Sequence, residues 1–326
     1  MAMLVAGAAG FIGSHLTDRL LGAGLRVVGV DNLCRGTEAN LAAALGDPRF
    51  QFLRLDLSEP HEIEKSLAPA LDALGEPIDT VWHLAANSDI AAGVADPRVD
   101  LRDTFMTTFN LLAFMRVAGC RKMVFASTSA VYGERSDLLT EEIGPLLPIS
   151  QYGAMKLASE AIVSAACEAD LERACICRFP NVVGGRGTHG AIFDFLNKLA
   201  RDREDLEVLG DGRQRKPYLH VSELVDAMVF IWLHAPEKRA LYNIGPEDDG
   251  VEVSEIAQGV IDEVGCAARI RYTGRDRGWV GDVPRFAYGV EKLAKLGWRP
   301  RRSSAAAVRT SIAELAAERG LTCFKS

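Results

Sequence analysis

Tyr152 and Lys156 stand four residues apart in YGAMK, a spacing that puts both side chains on one face of a helix. A phenol with a pKa of ~10 is a poor base, and bringing it to near 7 takes about 4 kcal/mol. One cation at about 4 Å supplies that much at an effective dielectric near 20. Lys156 is therefore expected to pull Tyr152 down into service as a general base. An ordinary surface pair is the alternative, since the six tyrosines make one such spacing easy by chance. Upstream, FASTSAVYG sets Ser127, Thr128 and Ser129 at the end of an apolar run, with Thr128 24 residues before Tyr152. Hydroxyls there are common turn formers. At the carboxyl edge of a sheet, Thr128 would instead hydrogen-bond the hydroxyl that Tyr152 deprotonates.

A second constellation is VAGAAGFIGSHL, with Gly7, Gly10 and Gly13 between a strand and a helix. Gly7 permits a tight turn, Gly10 lets backbone approach a pyrophosphate, and Gly13 allows close helix–strand packing. The helix N-terminus offers free N–H groups to the anion. Asp31 follows Gly13 by 18 residues at the end of the next strand. A carboxylate there accepts from adenosine ribose hydroxyls and repels a 2′-phosphate, so the expected cofactor is NAD rather than NADP. Asp31 could also cap the next turn, and Asp56 could meet the adenine amino group or cap a helix. A nicotinamide cation would add to the pull of Lys156 on Tyr152.

The elements that must position these groups follow from the hydrophobic pattern. Short apolar runs at 3–6, 26–31, 50–54, 79–82, 122–127 and 174–179 alternate with amphipathic stretches. Such alternation predicts right-handed βαβ units and a parallel sheet covered on both faces. The predicted fold is α/β, a Rossmann-type doubly wound parallel sheet with a smaller mixed α/β lobe. Residues 1–180 are expected to bind NAD, with 218–245 returning to that domain, and 181–326 to form the substrate lobe. A terminal helix is expected over 303–318, started by Ser303 or Ser304. Residues 101–119 are apolar on more than one face, so one side covers the sheet and the other needs the second lobe or another subunit.

Composition narrows the functions. Lys and Arg number 37 against 44 Asp and Glu, giving −7, which argues against nucleic acid or an anionic membrane as main partner. Seven cysteines without a CxxC pair are expected to be reduced thiols in a cytoplasm. The apolar start lacks a basic leader, the first Arg being Arg19, and reads as a buried strand rather than a signal peptide. The six histidines show no paired ligand spacing, so no metal is expected.

Taken together, GAAGFIGSHL, DNL, HLAA, STSAVYG, YGAMK and RFPNVVG, in this order, resemble the extended short-chain dehydrogenase/reductase family, in its branch of nucleotide-sugar epimerases and dehydratases. The resemblance covers essentially the whole chain. It implies tightly held NAD, bound by Gly7, Gly10, Phe11, Ile12, Gly13, Asp31, Asn32, Leu33, Gly36, Asp56, Leu57, Ser127, Tyr152 and Lys156. Leu84, Ala85 and Ala86 would line the cofactor, Thr104 stands where the family often has Asn near it, and Pro180 would flank the nicotinamide. The catalytic residues implied are Thr128, Tyr152 and Lys156. A nucleoside-diphosphate sugar would meet Ser88, Thr128 and Asn181, with Ala191 and Ile192 nearby. GDGRQRKPYLHV matches the diphosphate clamp, but the family's Arg aligns with Lys216 and Arg215 stands beside it, leaving the phosphate-holding cation open. Arg277 and Asp282 resemble a late Arg…Asp pair with two extra residues between them. Phe286 falls at a gatekeeper position near the sugar's carbon 2. The family also implies a homodimer through a four-helix bundle including 101–119 and 151–169.

Ser129 and Ala130 stand where dehydrating or decarboxylating members of the family carry acidic residues. Without an acid, nothing there protonates a leaving 6-hydroxyl. The expected activity is therefore an NAD-dependent 4-epimerase, most like the UDP-glucose 4-epimerases. Epimerisation of a UDP-glucuronate or UDP-N-acetyl sugar, or a dehydratase or reductase, is the alternative. Thr188 weakens the glucuronate case, because such epimerases tend to carry Arg there. A dinucleotide-sensing scaffold protein is the non-enzyme reading, although such a protein could dispense with the three catalytic residues.

Overall fold

Runs such as AMLVA and RVVGV leave no polar face, so each must be covered on both sides. They become the inner strands of a parallel sheet in the computed structural model, which describes residues 1–274, 283 and 285–321. Strands β1 (Ala2–Ala6), β2 (Arg26–Asp31), β3 (Phe50–Arg54), β4 (Ile78–His83), β5 (Lys122–Ala126) and β6 (Arg173–Arg178) pair in parallel. Their order across the sheet is β3-β2-β1-β4-β5-β6, with strand Arg239–Asn243 beside β6 at the edge. The order reverses next to β1, and ligands bind at the carboxyl ends of strands at such a point. Helices Phe11–Gly22, Thr107–Ala118 and Gln151–Ala169 lie among the crossovers. Leu4, Val28, Val81, Phe125, Leu111, Met115, Val163 and Ile176 belong to one buried core.

The chain divides into two compact units. The first comprises residues 1–133, 146–178 and 225–242, and the second 134–145, 179–224 and 243–326. In the second unit, β7 (Asn181–Val183) pairs in parallel with β10 (Tyr218–His220), and β8 (Asp205–Val208) with strand Arg269–Tyr272. Strand β9 (Arg215–Lys216) runs antiparallel to Val251–Glu252. Helices Ala191–Arg201, Val253–Val264 and Ser304–Glu318 enclose a separate core that includes Phe195, Leu199, Val260 and Ile312. Ser303 caps the last helix, accepting from Ala306 N. Residues 101–119 are not one uniform helix: Leu101–Met106 is a π-helical turn before Thr107–Ala118.

His83, at the end of β4, is wholly buried. Thr108 Oγ1 donates to Thr104 O, so it must accept from His83 Nε2–H at 2.9 Å. That leaves Nδ1 without a partner among the described residues. Burial, aided by the nearby Lys156 charge, pushes the imidazole down to about 3. A lowered folded-state value means that the unfolded chain takes up this proton first as pH falls. Stability is therefore complete above about 6.5 and declines toward 3; by pH 4.5 this group alone costs about 3 kcal/mol. Urea unfolding at pH 7 and 4.5 should show that loss in the native protein and a smaller one in His83→Gln. Equal losses would contradict it.

Candidate active site

The glycine loop is shaped by contacts that exclude side chains. Gly7 has φ +84°, and a Cβ there would stand 2.7 Å from Ala85 N. A Cβ on Gly13 would stand 1.9 Å from Gly7 O. The helix Phe11–Gly22 begins at Gly10 with no side-chain cap and no acidic residue in its first turn. Its first N–H groups are thus open to an anion.

Asp31 does two things at once. Its Oδ2 accepts from Ala9 N at 3.0 Å and its Oδ1 from Leu33 N at 2.8 Å, bracing the loop and a turn with Leu33 at φ +63°. Burial raises its pKa, against the N–H bonds from Leu33, Ala9 and Gly10. A carboxylate has about four acceptor sites, so capacity remains for ribose hydroxyls. Asn32 Nδ2 donates to Asp56 Oδ2 at 2.9 Å, and Ser58 N to Asp56 Oδ1 at 2.8 Å. Gly36 packs on the Ala9 backbone. Leu84, Ala85 and Ala86 leave β4 half-buried, as does Ser88 beyond them, and Leu84 N donates to Ala6 O. Leu57 and Thr104 are buried, the Thr104 hydroxyl accepting from Asn87 N at 3.2 Å. Glycines packed against backbone, an uncapped helix start and an acidic strand end together fit a dinucleotide.

Ser150 caps helix Gln151–Ala169 by accepting from Gly153 N, which places Tyr152 in the first turn and Lys156 one turn on. Thr128 hydrogen-bonds the Tyr152 phenol, so the three residues meet. Thr128 Oγ1 also accepts from Ala130 N at 3.2 Å. Lys156 is almost fully buried; its Nζ donates to Ala126 O at 2.7 Å and lies 6.0 Å from the Tyr152 ring centre.

The expectation that Lys156 brings the Tyr152 pKa down toward 7 is not met, because burial acts in the opposite direction. Burial pushes Tyr152 up to about 12; the Thr128 hydrogen bond opposes this, and the Asp100 charge adds to it. Burial also brings Lys156 down to about 7, against the pull of Glu160. Desolvation of the two buried groups outweighs the attraction between their charges.

Several residues here escaped the sequence reading. Ser127 Oγ donates to Glu160 Oε1, and Arg178 holds the same carboxylate. Asn87 Nδ2 donates to Asp100 Oδ1 at 2.8 Å, and Asp100 is wholly buried. Glu160 was findable, since it stands four residues beyond Lys156. The Asp100 cluster had no such signal.

In the second unit, Asn181 opens β7 and donates to Pro217 O at 3.4 Å, with Pro180 just before it. Ala191 and Ile192 start a helix, and Ile192 belongs to that unit's core. Arg215 is committed: Nη1 donates to Gly250 O at 2.9 Å, and Nη2 pairs with Glu252 and Glu255, each at 3.3 Å. Lys216, its neighbour on β9, is buried. Phe286 stands edge-on to Tyr288 at 6.2 Å. Arg277 and Asp282 lie outside the described residues.

Residues 3–245 match the NAD dependent epimerase/dehydratase family. A UDP-glucose 4-epimerase of Azospirillum brasilense is 30% identical over 318 residues, covering 92% of this chain and 87% of that protein. A crystal structure of a UDP-galactose 4-epimerase superposes with a TM-score of 0.85 at 37% identity, covering 98% of this chain and 99% of the other. A UDP-glucuronic acid 4-epimerase from Bacillus cereus, solved with UDP-glucuronic acid and NAD, gives 0.83 at 26% identity, with 96% and 98% covered. The glycine cradle, the acidic strand end and the Thr–Tyr–Lys group thus sit on a shared fold, and the chain belongs to the NAD-dependent epimerase/dehydratase family, with NAD as its cofactor.

Proposed function

We propose that the protein is a 4-epimerase of a nucleoside-diphosphate sugar, of the UDP-glucose/UDP-galactose type. The observation that carries this reading is the meeting of Thr128, Tyr152 and Lys156 beside a turn whose next residues, Ser129 and Ala130, carry no acid. Asp100, the carboxyl that acts on Tyr152, is wholly buried and bonded to Asn87. NAD, when bound, supplies the hydride acceptor and a positive ring that favours the phenolate. Tyr152 takes the 4-hydroxyl proton and later returns it. Thr128 orients that hydroxyl, and the Lys156 charge supports the phenolate. Incubating the purified protein with a panel of UDP-sugars, read by chromatography and NMR, tests the substrate. Interconversion of UDP-glucose and UDP-galactose is expected; conversion of UDP-glucuronate alone would move the assignment to that sugar.

The first unit is proposed to hold NAD and the second the nucleotide sugar, through Asn181, Lys216 and Phe286. Lys216 stands where the family's diphosphate-holding arginine aligns, which favours Lys216 over its neighbour Arg215 as the diphosphate cation. Loss of a charge-assisted hydrogen bond in Lys216→Met should raise KM roughly 10–100-fold, with a smaller rise for Arg215→Met. The reverse order in steady-state kinetics would contradict this choice.

The first unit leaves Leu101, Phe109 and Val117 exposed along the segment 101–119. Such a face supports a homodimer in which this segment and helix Gln151–Ala169 form a four-helix bundle. Among the described residues no helix is long and apolar enough to cross a membrane, and the six described cysteines are unpaired. Both features fit the cytoplasm as the proposed location.

A further inference from the structure

We propose that Glu160 and Arg178 are positioning residues for this reaction, a buried pair of opposite charges that sets how firmly Lys156 keeps its proton. Glu160 lies one helical turn beyond Lys156, and both it and Arg178 are more than nine-tenths buried. Arg178 Nε and Nη2 donate to the two oxygens of Glu160 at 2.9 and 2.6 Å. Arg178 Nη1 donates to Tyr132 Oη at 3.1 Å, and the guanidinium lies 4.9 Å from that ring's centre. Ser127 Oγ is tied to Glu160 Oε1. Its neighbour Ala126 provides the carbonyl that receives Lys156 Nζ. One short segment at the end of β5 therefore holds both the ammonium and the carboxylate.

The charges facing Lys156 are few. Its own helix contributes Tyr152 and Glu160; β4 contributes neutral His83, and β6 contributes Arg178 through Glu160. Asp100 acts on Tyr152. The β5 residue Phe125 places its ring 4.8 Å beneath the ammonium. In so dry a setting a full charge one turn away is barely screened. Glu160 favours the ammonium and Arg178 opposes it. Burial works against the Arg178 charge, but its bonds to Glu160 hold it firmly protonated. The lysine feels the difference between the two. Removing the carboxylate should loosen the Lys156 proton, and removing the guanidinium should tighten it. A pair with no role in the reaction would leave the high-pH limb of kcat where it is.

The inference rests on the proposed role of Lys156 beside Tyr152, and its test is separable from that reading. The Lys156 ammonium is titrated in the NAD-loaded protein by NMR of ε-13C-lysine, with Lys156→Met identifying the resonance. Glu160→Gln should lower its pKa by about one unit, and Arg178→Gln should raise it by about one unit. Each single variant leaves a buried charge unpaired and loses stability. The double variant Glu160→Gln/Arg178→Gln should recover stability and titrate near the native value, and Glu160→Asp should stay close to native. The high-pH limb of kcat should move with the titration. Single variants that shift in the same direction, an unchanged titration, or a shift that the kcat limb ignores would overturn the proposal. If the native protein converts no nucleotide sugar, the functional reading fails while the titration still decides the pair.

Discussion

Tyr152→Phe is expected to cut turnover by roughly 10²–10⁴-fold, the range for a lost general base, while NAD remains bound. The substitution removes one oxygen and keeps the ring that packs in the first helical turn. Because burial pushes the phenol up to about 12, its base strength must come from positive charge supplied beside it. Lys156, poised at about 7 and fixed to Ala126 O, is one such cation on the same helix. Thr128→Val should be damaging but less so, since it removes a hydrogen bond and not the base. Steady-state kinetics with NAD occupancy measured by absorbance separates the two effects. Near-native turnover in Tyr152→Phe would show that the proton leaves by another route.

Gly13→Ala should be severely damaging for a change of one carbon. The added Cβ would be driven to 1.9 Å from Gly7 O, which is backbone and cannot rotate away. Either the helix Phe11–Gly22 retreats or the loop opens. Overpacking of this kind costs about 1–3 kcal/mol and occasionally more. The displaced N–H groups are those proposed to meet the pyrophosphate, so NAD affinity should fall together with the melting temperature. Gly22→Ala is the control, because a Cβ there meets nothing within 4 Å. Native NAD affinity in Gly13→Ala, measured by calorimetry, would contradict the close-packing account.

The sheet was legible because its strands are buried on both faces and therefore read as continuous apolar runs. The runs at 26–31 and 50–54 match β2 and β3 residue for residue, and 79–82 misses one residue at each end of β4. The π-turn at Leu101–Met106 carries no periodic signature distinct from a helix. Spacing four put Tyr152 and Lys156 on one face, and the same rule extended once more reaches Glu160. Its partner Arg178 could not be read this way, because β5 and β6 meet only in the folded sheet. The direction of the Tyr152 shift was illegible for a similar reason: desolvation depends on what packs around a group. Asp31 shows that two readings of one residue need not compete, for it braces the glycine loop and keeps acceptor sites for a ribose.

The central claim is that the hydride leaves carbon 4 of a nucleotide sugar and returns to the same carbon, with no acid–base step elsewhere on the ring. The most direct test is the reaction of UDP-galactose in heavy water, followed by NMR of the product. With Ser129 and Ala130 beside Thr128, the product should be UDP-glucose of unchanged composition, carrying no deuterium at carbon 5. A dehydratase must remove the carbon-5 proton. Deuterium at that carbon, or a product lighter by one water, would contradict the account.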